Sequence, residues 1–232
     1  MNPITAQQLS KLFPDAEDDQ LEQVATDLNA SPAKYGLDSP LRCAHFFAQV
    51  MQGAGAGLEA QSENLKYSPE GLEATFGYYA DHPAEAVQDG YTRNPTTKAI
   101  TKPANEEAIA NKAYANRIGN GDVASGDGFR FRGRGFFQIT GRANYAALAI
   151  QYGKIYGADG VDFVANPDLA GTFPHVVRTA VCFWVQHGLP ALADHGSGPL
   201  NVDAITAVIN KKTNSYAQRR ANFQKALAAF PA

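Results

Sequence analysis

The stretch that decides the fold is residues 128–145, which carry the sequence GFRFRGRGFFQITGRANY. Its first part alternates aromatic and arginine residues around two glycines, and this pattern predicts a short β-hairpin over residues 129–139. Thr140 then precedes a segment whose apolar residues recur at helical spacing, which predicts an α-helix. The stretch therefore predicts a small sheet followed directly by a helix.

Helical signals occupy most of the remaining chain. Ser39-Pro40 and Ser68-Pro69 each combine a serine suited to the N-cap with a proline suited to the first helical position. Residues 89–105, rich in Thr, Asn, Pro and Lys, predict a long surface loop. Apolar periodicity predicts further helices over residues 5–12, 18–28, 106–117, 172–187, 202–210 and 216–230. The predicted fold class is mostly α with one small β-hairpin.

Length and composition indicate one globular domain spanning residues 1–232, within which lobes cannot be separated. The net charge of −3 supplies no general attraction to nucleic acid or anionic lipid. Cys43 and Cys182 each lie in an apolar run, which favours two buried thiols over a disulfide. Residues 1–13 lack the pattern of a secretory signal peptide, and no apolar stretch approaches the roughly 20 residues of a membrane-spanning helix. We expect a monomer without a membrane partner.

Glu63 opens the run ENLKYS, residues 63–68. Directly ahead of a predicted helix, such a residue is most simply a surface glutamate. Its significance changes only when the run is considered together with the motif at residues 128–145.

Together these motifs resemble family 19 glycoside hydrolases, in particular the bacterial and phage chitinase and endolysin branch. Residues 63–68 are similar to the family's E-N-x-x-Y-S run, and residues 128–145 to its long R-G-R-G-x-x-Q-[IL]-T-G-x-x-N-Y signature. Weaker similarities extend over residues 108–121, 163–169 and 180–184. The resemblance implies a lysozyme-like, two-lobed helical domain with a central cleft. It also implies inverting hydrolysis of β-1,4-linked N-acetylated glycan without a cofactor.

The resemblance also assigns roles to individual residues. Glu63 would be the general base, and Thr140 would hold the attacking water, although Thr140 could equally be a helix N-cap. Lys211 and Lys212 stand where the family has two glycines, which alters the corresponding subsite. The residues that would contact sugar are Gln138, Asn210, Tyr67 and Asn64, and either Arg219 or Arg220 would match a downstream family arginine.

One position departs from the family pattern. Residues 46–51, FFAQVM, resemble the helix that precedes the general-acid glutamate, and the alignment places Gly53 on that glutamate. Glycine cannot donate a proton, and loss of a general acid costs roughly 10²–10⁴-fold in rate. We expect the chain to be impaired or inactive and Gly53→Glu to restore hydrolysis. Glu59, the nearest carboxylate upstream of Glu63, lies beyond the matched motif.

Other site types are less well supported. Arg130, Arg132, Arg134 and Arg142 interleave with phenylalanines, a combination that can bind single-stranded nucleic acid. Pairing of these arginines with acidic residues is the alternative, and we favour it because the chain is acidic overall. The five histidines lack the spacing of metal ligands, so no metal site is expected.

Peptidoglycan is the expected partner, with chitin oligosaccharide as the alternative. The chain would be made in the cytoplasm and act at the cell wall or periplasm, after release through a holin-made lesion or injection by a secretion system. A delivery or immunity protein is a further candidate partner. The competing functions are a glycan-binding pseudoenzyme without turnover and a purely structural protein.

Overall fold

A computed structural model of the chain describes residues 2–157 and 161–231. Helices dominate this part of the chain, so the predicted mostly α class is confirmed. The α-helices are α1 Ala6–Ser10, α2 Asp18–Asn29, α3 Pro40–Ala54, α4 Pro69–Thr75, α5 Gly77–Asp81, α6 Pro83–Asp89, α7 Glu106–Ala113, α8 Asp127–Arg130, α9 Arg142–Tyr156, α10 His175–Gln186, α11 Leu189–Ala193, α12 Pro199–Asn210 and α13 Tyr216–Ala229. Short 3₁₀ turns occur at Val123–Ser125 and Pro167–Gly171.

The one β-hairpin of the described residues is not where the sequence predicts it. Strands β1 (Thr92–Arg93) and β2 (Ile100–Lys102) pair antiparallel inside the segment predicted to be a loop. Asn94 closes the turn, because its side-chain oxygen accepts hydrogen bonds from the N–H groups of Thr96 and Thr97.

The predicted hairpin over residues 129–139 is wrong. Its start belongs to helix α8, and the residues that follow form turns flanked by two isolated bridge residues, Arg134 and Ile139. The backbone at Gly135 and Gln138 has positive φ angles of 77° and 51°, which an extended strand does not adopt. The alternation of aromatic and arginine residues therefore reflects a tightly turned segment.

Contacts within the chain divide it into two compact units. Unit 1 comprises Met1–Gln61, Arg134–Gln138 and Leu148–Ala232, and unit 2 comprises Ser62–Gly133 and Ile139–Ala147. The prediction of one catalytic-type domain over residues 1–232 stays a prediction.

Unit 1 is built around helix α3. Its start follows the predicted signal, because the Ser39 hydroxyl accepts a hydrogen bond from the N–H of Arg42 and Pro40 occupies the first helical position. The helix is buried along most of its length, and Phe46 packs edge-on against Trp184 with ring centroids 5.6 Å apart. Gly55, with φ of 67°, ends it.

The two cysteines of unit 1 are buried thiols rather than a disulfide, as predicted. Burial raises the pKa of each thiol, Cys43 and Cys182, to about 12. They therefore pack as small apolar groups in the core of the unit.

Unit 2 has its own apolar core, in which Leu65, Leu72, Phe76, Tyr79 and Ile109 are buried together. The predicted Ser68-Pro69 signal begins helix α4, where the Ser68 hydroxyl accepts from the N–H of Gly71. This helix ends at Thr75, because Phe76 adopts an extended backbone. Within the described residues, no helix has both the length and the apolar character needed to cross a membrane.

Candidate functional site

Glu63, in unit 2, is held in place by hydrogen bonds to both its side chain and its backbone. The Tyr114 hydroxyl donates to Oε1 at 2.5 Å, and the Gly133 N–H donates to Oε2 at 3.1 Å. The backbone N–H of Glu63 donates in turn to the Gly133 carbonyl at 2.8 Å. Each carboxylate oxygen has two lone pairs, so each can accept one further donor, such as a water molecule. The half-buried carboxylate is therefore oriented while still able to take up a proton.

Aromatic residues form the surroundings of Glu63. Burial, followed by the negative charge of Glu63, raises the pKa of the Tyr114 hydroxyl, which keeps this group a hydrogen-bond donor. The Tyr114 ring packs edge-on against Phe76, which packs edge-on against Tyr67, with centroid distances of 6.0 and 5.4 Å. Burial and the charge of Glu63 also raise the pKa of Tyr67. Tyr67 thus lies within electrostatic range of the candidate base.

Asn64 is exposed, and its side-chain oxygen accepts a hydrogen bond from the N–H of Lys66 at 2.9 Å. This contact folds the short segment that connects Glu63 to Tyr67. The predicted base and two of the predicted sugar-contacting residues, Asn64 and Tyr67, are therefore brought together in unit 2.

Thr140 lies in the same unit, immediately before Gly141 and helix α9. The alternative role of Thr140 as helix N-cap is wrong, because the Gly141 carbonyl accepts the first helical hydrogen bond, from Tyr145. A side chain does not fit at Gly141, whose φ is 89° and whose added Cβ would lie 2.5 Å from Ile118. This close packing fixes the backbone that follows Thr140.

One short segment supports both Glu63 and Thr140. Gly133 holds Glu63, and two residues earlier the Phe131 carbonyl accepts from the N–H of Gly141 at 2.8 Å. Between them, the Arg132 carbonyl accepts from the Tyr145 hydroxyl at 3.0 Å. The long motif thus acts as a common anchor for the predicted base and the predicted water-holding residue.

Gln138 and Asn210, the other predicted sugar contacts, lie in unit 1 and are exposed. The Gln138 amide donates to the carbonyls of Gln61 and Gly135 at 3.2 and 3.0 Å, which fixes its direction. Its positive φ is uncommon for a residue other than glycine and is typical of functional sites. Asn210 is the last residue of helix α12.

Gly53, the position that the sequence resemblance assigns to the general acid, is packed against backbone. A Cβ added to Gly53 would lie 1.9 Å from the carbonyl oxygen of Phe136 and 2.9 Å from its carbonyl carbon. Real Cβ atoms do not approach backbone so closely, and backbone atoms cannot swing aside as a flexible side chain can. Gly53→Glu is therefore expected to distort the end of helix α3, which removes the basis for expecting this change to restore hydrolysis.

Sequence reasoning did not foresee a buried polar network in unit 1. The Gln49 amide oxygen accepts from Arg219 Nη1 at 2.6 Å, and the Gln49 amide nitrogen donates to the Thr206 hydroxyl at 3.2 Å. A glutamine within the otherwise apolar run of helix α3 was the available signal. The network also separates the two candidate arginines, since Arg219 is buried whereas Arg220 faces solvent and pairs with Asp203 at 3.1 Å.

Arg142 and Arg134 of the motif form ion pairs, as the favoured interpretation predicts. Arg142 binds Asp127 through two hydrogen bonds of 2.7 and 2.5 Å, which lower the pKa of that carboxyl. Arg134 pairs with Asp168 at 2.6 Å. Over residues 2–157 and 161–231, no group of three or more His, Cys, Asp or Glu side chains is arranged to hold a metal ion.

Comparison with known proteins bears on the identity of the site. No family model matches the chain. A crystal structure of a chitinase C mutant has a TM-score of 0.50 and 17% identity, and the match covers 99% of this chain and 95% of that chain, which is a likeness of fold. A protein of Haemophilus influenzae described as a glycosyl hydrolase family 19 domain-containing protein is 36% identical over 210 residues, 90% of this chain and 88% of that protein. The chain belongs to glycosyl hydrolase family 19.

Proposed function

We propose that the protein binds β-1,4-linked N-acetylated cell-wall glycan and hydrolyses it slowly by inversion, with Glu63 as the general base. The observation that carries this proposal is the position of the Glu63 carboxylate. Tyr114 and Gly133 each donate to one of its oxygens, and both oxygens keep a lone pair that can accept a hydrogen bond from water. Family membership and the chitinase-like fold support glycosidase chemistry on glycans.

In an inverting reaction, the base removes a proton from water as that water attacks the anomeric carbon. Glu63 would take the proton on a carboxylate oxygen, and the Thr140 hydroxyl would orient the water. Glu63 and the backbone that follows Thr140 both bond to residues 131–133, and this shared support would hold the base and the water in a fixed arrangement. Gln138, Asn210, Tyr67 and Asn64 would bind the sugar.

The departing sugar oxygen also needs a proton, and Gly53 cannot give one. The backbone of Phe136 occupies the space that a side chain at position 53 would need. Without a positioned acid the leaving oxygen must take its proton from solvent, which slows hydrolysis by roughly 10²–10⁴-fold. The protein therefore combines an ordered base with an absent acid.

Peptidoglycan is the substrate we favour, because the sequence motifs are closest to those of compact bacterial and phage family members; chitin is the alternative. The protein would act at the cell wall after release or injection from the cell that makes it.

The test combines binding and turnover on purified peptidoglycan and on chito-oligosaccharides, for the wild-type chain and for Glu63→Gln. We expect both variants to bind glycan, with slow product release only from the wild type. Turnover at the rate of an ordinary family enzyme would contradict the missing acid, and absence of binding to either glycan would overturn the proposal.

A glycan-binding pseudoenzyme is the second candidate, and the blocked position at Gly53 is the observation that favours it. It predicts that product release by the wild type does not exceed that by Glu63→Gln, while both bind glycan equally. The same paired assay therefore separates the two functions.

A further inference from the structure

Arg219 carries a buried positive charge without a carboxylate partner. The residue is 8% exposed, and no Asp or Glu of the described residues lies within ion-pair distance of its guanidinium group. Burial lowers the pKa of Arg219 from 12.5 to about 10, so the group still carries its charge at neutral pH. A buried charge without a counter-ion is costly and needs an explanation.

The other arginines of unit 1 each pair with an aspartate. Arg42 pairs with Asp194, Arg134 with Asp168, Arg178 with Asp27, and Arg220 with Asp203, all at 3.1 Å or less. Arg220 is the immediate neighbour of Arg219 on helix α13. The absence of an acidic partner is thus specific to Arg219 within this comparison.

Two neutral acceptors hold the guanidinium group. Nε donates to the Ser215 hydroxyl at 3.0 Å and Nη1 to the Gln49 amide oxygen at 2.6 Å. Nη2 makes no hydrogen bond to any described residue. It is not one of the fully buried side-chain atoms that lack a partner, so it keeps some contact with solvent. Its N–H groups are therefore oriented and available to an acceptor from outside the chain.

We infer that Arg219 binds a carboxylate of the ligand, so that the protein selects carboxylate-bearing peptidoglycan over neutral chitin; this inference rests on the proposed function. The planar guanidinium matches a carboxylate through charge-assisted hydrogen bonds. The peptide stems of peptidoglycan carry carboxylates, whereas chitin carries none. Since the net charge of the chain is −3, its overall field does not attract anions. Binding of a ligand carboxylate therefore needs a local positive charge such as that of Arg219.

The test uses three ligands: a disaccharide muropeptide, the same muropeptide with its carboxylates amidated, and chitotetraose. Their dissociation constants are measured by calorimetry for the wild type, Arg219→Gln, Arg219→Lys and Arg220→Gln. Arg220→Gln is the matched control, because it removes the same charge from the adjacent residue of the same helix.

We expect the wild type and Arg220→Gln to bind the muropeptide at least about tenfold more tightly than its amidated form. Arg219→Gln should bind the two forms equally, and Arg219→Lys should recover part of the difference. Affinity for chitotetraose should stay within about twofold in all variants that remain folded by circular dichroism.

Equal affinity of the wild type for the muropeptide and its amidated form would overturn the inference while leaving the proposed function intact. This wild-type comparison decides the question even if Arg219→Gln does not fold. Failure of the wild type to bind any of the three ligands would instead overturn the proposed function, and with it the inference.

Discussion

Glu63, the proposed general base, and Gly53, the position proposed to lack the general acid, both pack against the long motif at residues 128–145, in opposite ways. At Glu63, the N–H of Gly133 in the motif donates a hydrogen bond to the glutamate side chain, and the Gly133 carbonyl accepts one from the glutamate backbone N–H. At Gly53 the motif offers the carbonyl of Phe136, which leaves no space for a side chain. One contact holds a carboxylate side chain in place, and the other excludes a side chain.

Under the proposed function, the absence of a general acid at position 53 follows from this packing against Phe136. Restoring a glutamate at Gly53 would require the backbone at Phe136 to move as well. The Glu63 carboxylate, by contrast, has the ordered hydrogen bonds that the proposed general base needs. The proposed mechanism therefore predicts different effects for mutations at the two positions.

The largest effect is expected from Glu63→Gln. An amide cannot accept the proton of the attacking water, so hydrolysis of an activated aryl glycoside should fall by at least roughly 10²-fold. Glu59→Gln is the matched control, because it neutralises an exposed carboxylate four residues away. A loss of roughly 10²-fold in Glu59→Gln, together with little loss in Glu63→Gln, would show that Glu63 is not the base.

Gly53→Ala should destabilise the protein by about 1–3 kcal/mol, because the new methyl group meets the Phe136 carbonyl. Urea unfolding monitored by circular dichroism measures the change. Gly77→Ala is the control, since a Cβ at that position meets nothing within 4 Å and should leave stability unchanged or slightly raised. Full stability in Gly53→Ala would show that the position does accommodate a side chain.

Tyr114→Phe should slow hydrolysis of the aryl glycoside by about tenfold, because the Glu63 carboxylate loses one of its two orienting donors. Steady-state kinetics give the value. In Tyr78→Phe, a hydroxyl bonded to Glu85 at 3.0 Å is removed instead, and the rate should not change. Equal rates for Tyr114→Phe and the wild type would mean that the short hydrogen bond has no part in placing the base.

The smallest effect concerns His45, which is buried and bonded through Nε2 to the Gly196 carbonyl at 2.9 Å. Burial lowers the pKa of His45 in the folded chain. As the pH falls through 6.5, the ordinary pKa of histidine, the unfolded chain therefore takes up a proton at this residue while the folded chain does not. Stability contributed by the neutral ring is therefore complete above about pH 6.5 and declines as the pH falls below it.

Melting temperatures between about pH 7.5 and pH 5.5 test this dependence. His45→Gln should flatten the decline, whereas His195→Gln, which removes an exposed ring, should preserve it. An unchanged slope in His45→Gln would show that other groups are responsible.

Sequence predicted best those features that depend on neighbouring residues. Ser39 and Ser68 begin helices as predicted, since an N-cap bonds to a backbone N–H three residues away. The hairpin was misplaced, because glycine-rich turns at Gly133 and Gly135 resemble those of a hairpin, whereas the actual turn depends on the side chain of Asn94.

The site was predicted only in part, because its supports are distant in sequence. The motif resemblance identified Glu63 and Thr140, but Glu63 is held by Gly133, which lies 70 residues further along the chain. Arg219 and Gln49 are separated by 170 residues, so their contact left no local pattern. The close approach of Gly53 to Phe136 likewise depends on tertiary packing that spacing alone does not reveal.

The most direct test of a placed base and an absent acid is the dependence of kcat/KM on the leaving group, across a series of aryl chito-oligosaccharides whose phenols differ in acidity. We predict that kcat/KM falls steeply as the phenol becomes less acidic, because no side chain protonates the departing oxygen, and that Glu63→Gln lowers every value. A nearly flat dependence in the wild type would show that a general acid is present and would contradict the account.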